Sequence, residues 1–129
     1  MGAWGHTSFD NDSALDWLGD LADGGPSLVG EALDAALGSD YLEVDEASAA
    51  LAAAELVAAA LGKGDQRLSE GAAEWLAEHR TAVRGVGAER ARKAVERVYE
   101  DSELRELWDE NGDETEWHAD VRELLERLA

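Results

Sequence analysis

Residues 45–61 read DEASAALAAAELVAAAL, and this stretch decides the fold. After the opening acids nearly every position is Ala, Leu or Val, and Ala and Leu are among the strongest helix formers. Ser48 and Glu55 are its only polar interruptions; they share one narrow helical stripe and leave most of the circumference apolar. A helix of that kind must be surrounded. Its alanines let neighbouring helices approach closely, while Leu51, Leu56, Val57 and Leu61 fill the gaps between them. A membrane span is the competing reading. It fails because the stretch is short for a bilayer and carries Glu55 near its centre.

The flanking sequence supplies the neighbours. Ala14, Trp17, Leu18, Leu21 and Ala22 follow the i, i+3, i+4, i+7, i+8 template of an amphipathic helix, with Asp12, Asp16, Asp20 and Asp23 on its other face. Gly24-Gly25-Pro26 stops that helix, and Pro26 or Ser27 starts the next, which should bury Val29, Ala32, Leu33, Ala36 and Leu37 before Gly38 ends it. Tyr41-Leu42-Glu43-Val44 alternates briefly, but four residues with no pairing partner make no sheet. Gly62-Lys63-Gly64-Asp65 reads as a turn. Ser69 or Asp65 then caps a helix whose apolar face is Leu68, Ala72, Trp75, Leu76, His79 and Val83. Gly85 and Gly87 break the pattern before a helix burying Ala91, Ala94, Val95 and Val98. Leu104, Leu107 and Trp108 are about half a turn out of phase with it, so Ser102 should cap a separate short helix, closed by Asn111-Gly112. Asp113 and Glu116 have the spacing of a capping box ahead of Trp117, Val121, Leu124, Leu125 and Leu128. The expectation is an all-α chain forming one domain over residues 1–129. Six or seven helices surround a central Ala-rich helix at 45–61, and residues 1–11 form an irregular arm.

Charge is the strongest compositional fact. The 129 residues carry 30 acidic and 11 basic side chains, a formal net charge of −19. Residues 1–62 hold 12 acids and no Lys or Arg, whereas Arg80 to Arg97 carries six basic residues against two acidic ones. This basic band is expected to neutralise acidic faces within the molecule. Direct nucleic-acid binding is disfavoured, because the net field repels phosphate, while basic proteins are drawn in. With no cysteine, disulfides and thiolate metal sites are excluded. No basic segment followed by an apolar run opens the chain, so a cytoplasmic location is expected.

Catalytic motifs are missing. No G-x-S-x-G elbow occurs, and Gly62-Lys63-Gly64 lacks the length and the trailing Lys-Ser/Thr of a phosphate loop. Calcium loops begin at Asp10 and at Asp109 but lose essential positions at Ala14, Leu15 and Glu114. Neither Glu-x-x-His pairs nor His-Glu-x-x-His are present. No catalytic residue, metal ligand or cofactor is assigned on these grounds. A metal assembled from His6, Asp10 and Asp12 on the arm stands as the enzyme alternative. His79 and His118 lie on apolar helix faces, where a packed histidine is the ordinary role. Of five tryptophans, Trp17, Trp75, Trp108 and Trp117 fall on core faces, and Trp4 sits on the arm.

Two like-charge rows resist a purely structural account. Asp12, Asp16 and Asp20 are spaced i, i+4, i+8, as are Glu70, Glu74 and Glu78, and each contact costs roughly 0.2–0.5 kcal/mol in an isolated helix. The first row, edged by Trp4 and Phe9, is the candidate landing surface for a basic protein partner, in the manner of an immunity or antitoxin-like inhibitor. Mimicry of DNA by the acidic faces is a further alternative.

The opening Gly2-Ala3-Trp4-Gly5-His6, followed by Phe9-Asp10-Asn11-Asp12 and Ala14-Leu15-Asp16, resembles the start of proteins in the bacterial domain-of-unknown-function family 4259. Ser102-Glu103-Leu104-Arg105-Glu106-Leu107-Trp108 continues the resemblance, so it spans most of the chain. It implies a small bacterial protein and carries over no catalytic residue. Nine Arg against two Lys, with abundant Ala and Gly, also suit a GC-rich bacterial genome.

Overall fold

The computed structural model describes residues 11–63, 68–110, 112 and 115–129, and among them it contains seven helices and no strand. These are α1 (Asp12–Gly24), α2 (Ser27–Gly38), α3 (Val44–Ala60), α4 (Glu70–Arg84), α5 (Ala88–Glu100), α6 (Glu103–Asp109) and α7 (Glu116–Leu128). The Ala-rich stretch forms α3, one residue earlier at each end than the sequence suggests, with Leu61 as its C-cap. It packs against each of the other six helices. Every residue from 50 to 60 is buried, on all sides of the helix. Close packing at this density leaves no room for extra methylenes, which is why small side chains occupy most of α3.

The Ser48/Glu55 stripe is not a solvated strip. Both residues are buried, Ser48 with 1% of its surface exposed and Glu55 with 2%. Glu55 Oε1 accepts from Arg127 Nη1 of α7 at 2.9 Å, and the same nitrogen donates to Lys63 O at 3.2 Å. Among the described residues, the Ser48 hydroxyl finds no hydrogen-bond partner. The glutamate in the rod is therefore an internal tie to the last turn of α7.

Arginines from neighbouring helices help close the C-terminal ends of α2, α3 and α5. At the end of α3, Gly62 adopts φ +82°, a conformation glycine enters without penalty. This lets Gly62 N donate to Ala59 O at 2.9 Å and Lys63 N to Ala58 O at 2.8 Å. Arg80 of α4 adds a bond from Nη1 to Ala59 O at 2.8 Å. At the end of α2, Arg97 of α5 donates to Ala36 O at 3.4 Å and Asp40 O at 3.3 Å. Arg105 of α6 reaches back to Tyr99 O near the end of α5. Each guanidinium satisfies orphan carbonyls and sits at the negative end of a helix dipole.

Several boundaries follow the sequence signals closely. Asn11 Oδ1 caps α1 by accepting from Ala14 N at 2.7 Å, Ser69 caps α4, and Ser102 caps α6 while its hydroxyl donates to Val98 O at 2.6 Å. Residues 41–43 form no strand, as expected, and link α2 to α3; Glu103 N of α6 donates to Leu42 O at 2.8 Å, and Val44 N at the start of α3 donates to Glu103 Oε1 at 3.0 Å. Two expectations change. α2 buries Gly30, over which the Arg90 guanidinium lies where a Cβ would meet it at 3.0 Å, and it leaves Leu37 42% exposed. The capping box of α7 is Thr115 with His118, not Asp113 with Glu116: the helix begins at Glu116, too late for that residue to reach back.

Replacing Ala53 by Leu should lower unfolding stability by about 1–3 kcal/mol in a denaturant titration, since Leu costs little as a helix former and the loss reports overpacking. Arg127→Met should cost roughly 3 kcal/mol by removing the guanidinium paired with buried Glu55, and Glu55→Leu in the same chain should recover most of that. Tyr41, exposed on the connector, donates to Glu106 Oε2 at 2.9 Å. That bond, helped by desolvation and by the Glu103 carboxylate, pushes its phenol up to about 12. The fold thus favours the protonated phenol, a stabilisation complete below the ordinary range near about 10 and lost as pH rises through about 12. Ultraviolet titration should show this ionisation vanish in Tyr41→Phe; a Tyr41 that ionises in the ordinary range would contradict the latch.

Candidate functional site

The outer face of α1 carries the first acidic row. Asp12, Asp16 and Asp20 are all exposed, one helical turn apart, and none makes an ion pair among the described residues. The inner face explains why they point outward: Ala14 and Leu21 are buried against the core, with Trp17 and Leu18 packed at its margin. Trp4, Phe9, His6 and Asp10 lie outside the described residues, so neither the aromatic edge of the surface nor the metal alternative on the arm is located. Among the described residues, no group of three or more His, Asp or Glu is placed to hold a metal ion.

Where α1 crosses the start of α3, the row continues onto a second helix. Ser13, Asp16, Trp17 and Asp20 of α1 face Asp45, Glu46 and Ala49 of α3 across an open groove of about 310 Å³. The Ser13 hydroxyl donates to Asp45 Oδ1 at 2.6 Å, pinning the two helices together. The Glu46 carboxylate receives a long bond from the Ser39 hydroxyl at 3.4 Å. Asp45 and Glu46 occupy the first turn of α3, where the helix dipole favours carboxylates. That role masks their membership of this surface in the sequence, because nothing local says that α1 passes beside them. Trp17 reads in sequence as a core residue and is instead half-buried, with the rest of its ring against the groove.

The second row, Glu70, Glu74 and Glu78, is likewise exposed on α4, which packs beside α1. The cations are placed elsewhere. Arg90 binds both oxygens of Asp34 on α2, with Nε to Oδ1 at 2.9 Å, and holds that carboxyl below its ordinary range. Lys93 pairs with Glu89 and Arg92 with Glu96 along α5. With Arg97 and Arg80 on backbone carbonyls at helix ends, the band meets an acidic face of another helix at Arg90–Asp34, and much of the rest is taken up by carbonyls or by glutamates of α5 itself.

The two described histidines are structural. His79 is half-buried, stacked on Trp75 with ring centroids 4.3 Å apart, and its Nδ1 lies 2.9 Å from Trp75 O. His118 is fully buried; its Nε2 lies 2.7 Å from Asp109 Oδ1 and its Nδ1 lies 2.8 Å from Thr115 Oγ1. Trp117 is buried, stacked at 6.2 Å on Trp108, which is only half-buried like Trp75.

No helix among the described residues is long and apolar enough to cross a membrane. No curated protein and no solved structure matches the chain. The sequence model of a family described as a domain of unknown function, DUF4259, matches residues 2–120, the whole span over which the opening motif and the Ser102–Trp108 segment suggested it. The chain belongs to the DUF4259 family.

Proposed function

We propose that the protein is a non-enzymatic interaction module that binds a basic protein partner through the acidic face of α1, as an immunity or antitoxin-like inhibitor does. The observation that carries this reading is the separation of charge. Asp12, Asp16 and Asp20 stand exposed with no cation paired to them among the described residues, and Asp45 and Glu46 extend them across a groove, while Arg80, Arg90, Arg97, Arg105 and Arg127 are engaged with carboxylates or backbone carbonyls. An acidic patch left uncompensated in this way steers cationic surfaces toward it and repels phosphate. Trp17 at the groove wall offers a ring on which a guanidinium or ammonium can stack. A bacterial, cytoplasmic setting suits the composition and the absence of cysteine.

The test uses the full chain with Asp12, Asp16 and Asp20 replaced by Asn. The triple variant should keep the fold, because removing two i, i+4 repulsions of roughly 0.2–0.5 kcal/mol each offsets the helix-dipole contribution lost at Asp12 in the first turn of α1. In affinity capture from a native lysate followed by mass spectrometry, the parent should retain a basic protein that salt releases, and the variant should lose most of it. Equal recovery by both proteins would contradict the reading. Capture of DNA-binding proteins that nucleic acid displaces would favour DNA mimicry instead.

A further inference from the structure

The outside of α1 presents more than carboxylates. At about 100 degrees per residue, Leu15, Gly19 and Ala22 run as a second stripe along the helix beside Asp12, Asp16 and Asp20, with Leu18 between that stripe and the core. Leu15 is 42% exposed, and Gly19 and Ala22 are exposed with it. The side of α1 that packs on the core is centred on Ala14 and Leu21 and leaves this stripe uncovered. The acid row therefore has two walls: Trp17 and its groove on one flank, and an apolar stripe on the other.

Gly19 stands at the middle of the stripe. Glycine weakens the interior of a helix, and at Gly30 inside α2 a neighbour accounts for it, since a Cβ there would meet the Arg90 guanidinium at 3.0 Å. At Gly19 nothing does so: among the described residues a Cβ would meet nothing within 4 Å. The missing side chain leaves a notch between Leu15 and Ala22, open to a body lying against the outside of α1.

We propose that the basic partner contacts α1 with an amphipathic helix laid along it, its apolar side on Leu15, Gly19 and Ala22 and its Lys or Arg side chains on Asp12, Asp16 and Asp20. This rests on the reading of α1 as the contact face and adds the shape of what binds there. Charge selects a cationic segment, because the acid row has no cation paired to it among the described residues. The stripe selects a helix. Two helix axes come within about 8–10 Å only where the side chains between them are small, and Gly19 supplies such a place halfway along α1. A helix alongside repeats its side chains with the same rise as α1, so one apolar row and one cationic row on it stay in register with the stripe and the acids. A second copy of this chain is a poor occupant: its own α1 sets the same acids against them, and like charges repel.

Two synthetic peptides of one composition, Leu and Lys over about five helical turns, test this on the full chain. One sets Leu and Lys on adjoining faces at helical spacing; its isomer alternates them, as a strand would. Fluorescence anisotropy should show the helical peptide bound at least about tenfold more tightly than its isomer, through the apolar surface that only it can bury on the stripe. Leu15→Gln and Gly19→Gln, both compatible with a helix, should each weaken the helical peptide roughly fivefold and leave the isomer unchanged. Gly19→Gln should at the same time raise the unfolding temperature of the free protein, which separates lost contact from lost fold. Isotope-filtered NMR should place the Leu15 methyls against the leucines of the peptide. Equal binding of both peptides, lost together in the Asp12→Asn, Asp16→Asn, Asp20→Asn variant, would keep α1 as the contact face and overturn the helix. Binding of neither peptide would also overturn it, and lysate capture would still decide the face. Leu15 methyls that stay on Trp4 or Phe9, or a dimer of the parent that Leu15→Gln dissolves, would assign the stripe to the N-terminal arm or to a second copy and overturn the proposal.

Discussion

Helices approach one another only as closely as the side chains between them permit, and α3 brings that limit down along its whole length. Its alanines let six helices crowd around one axis, so burial is complete where an ordinary amphipathic helix would keep a wet face. Complete burial imposes a second requirement. A charged or carbonyl group at the rod or its ends that lacks a partner inside the protein is costly, because water cannot reach it. Glu55 is met by Arg127, and the carbonyls at the end of α3 by Gly62 and Arg80.

The same requirement governs the charge pattern. A net charge of −19 looks like an invitation to self-repulsion, yet the basic residues are not scattered to cancel it. They are drawn to helix C-termini and to the α2–α5 contact, where a guanidinium satisfies several acceptors at once. What remains is acid on the outer faces of α1 and α4, tolerated because solvent and salt screen it. The uncompensated surface is thus a consequence of how the core is closed, and it is the surface proposed for a cationic partner.

Much of this architecture is legible in the sequence. The Ala-rich stretch, the apolar spacing of α1 and α5, and the caps at Ser69 and Ser102 depend on neighbours along the chain, which is the information a sequence displays. What escaped depends on contacts between distant segments. Glu55 reads as a polar interruption until Arg127 is placed beside it, and Gly30 reads as an ordinary helix position until Arg90 crosses α2 there. Asp45 and Glu46 look like helix starters until α1 passes them, and His118 looks like core packing until Asp109 and Thr115 close on its two nitrogens. Where the rows of acid run was readable from spacing; what they face was not.

If α3 is enclosed on every side, its amides can exchange with solvent only when the whole structure opens. Native-state hydrogen exchange resolved to single amides measures this directly. The amides of residues 50–60 should form the slowest group in the protein, with opening free energies equal to that of global unfolding from denaturant titration, irrespective of which side of the helix they lie on. A periodic pattern within α3, with one face exchanging through local fluctuations like the outer helices, would show that the rod has a solvent-facing side and would contradict the account.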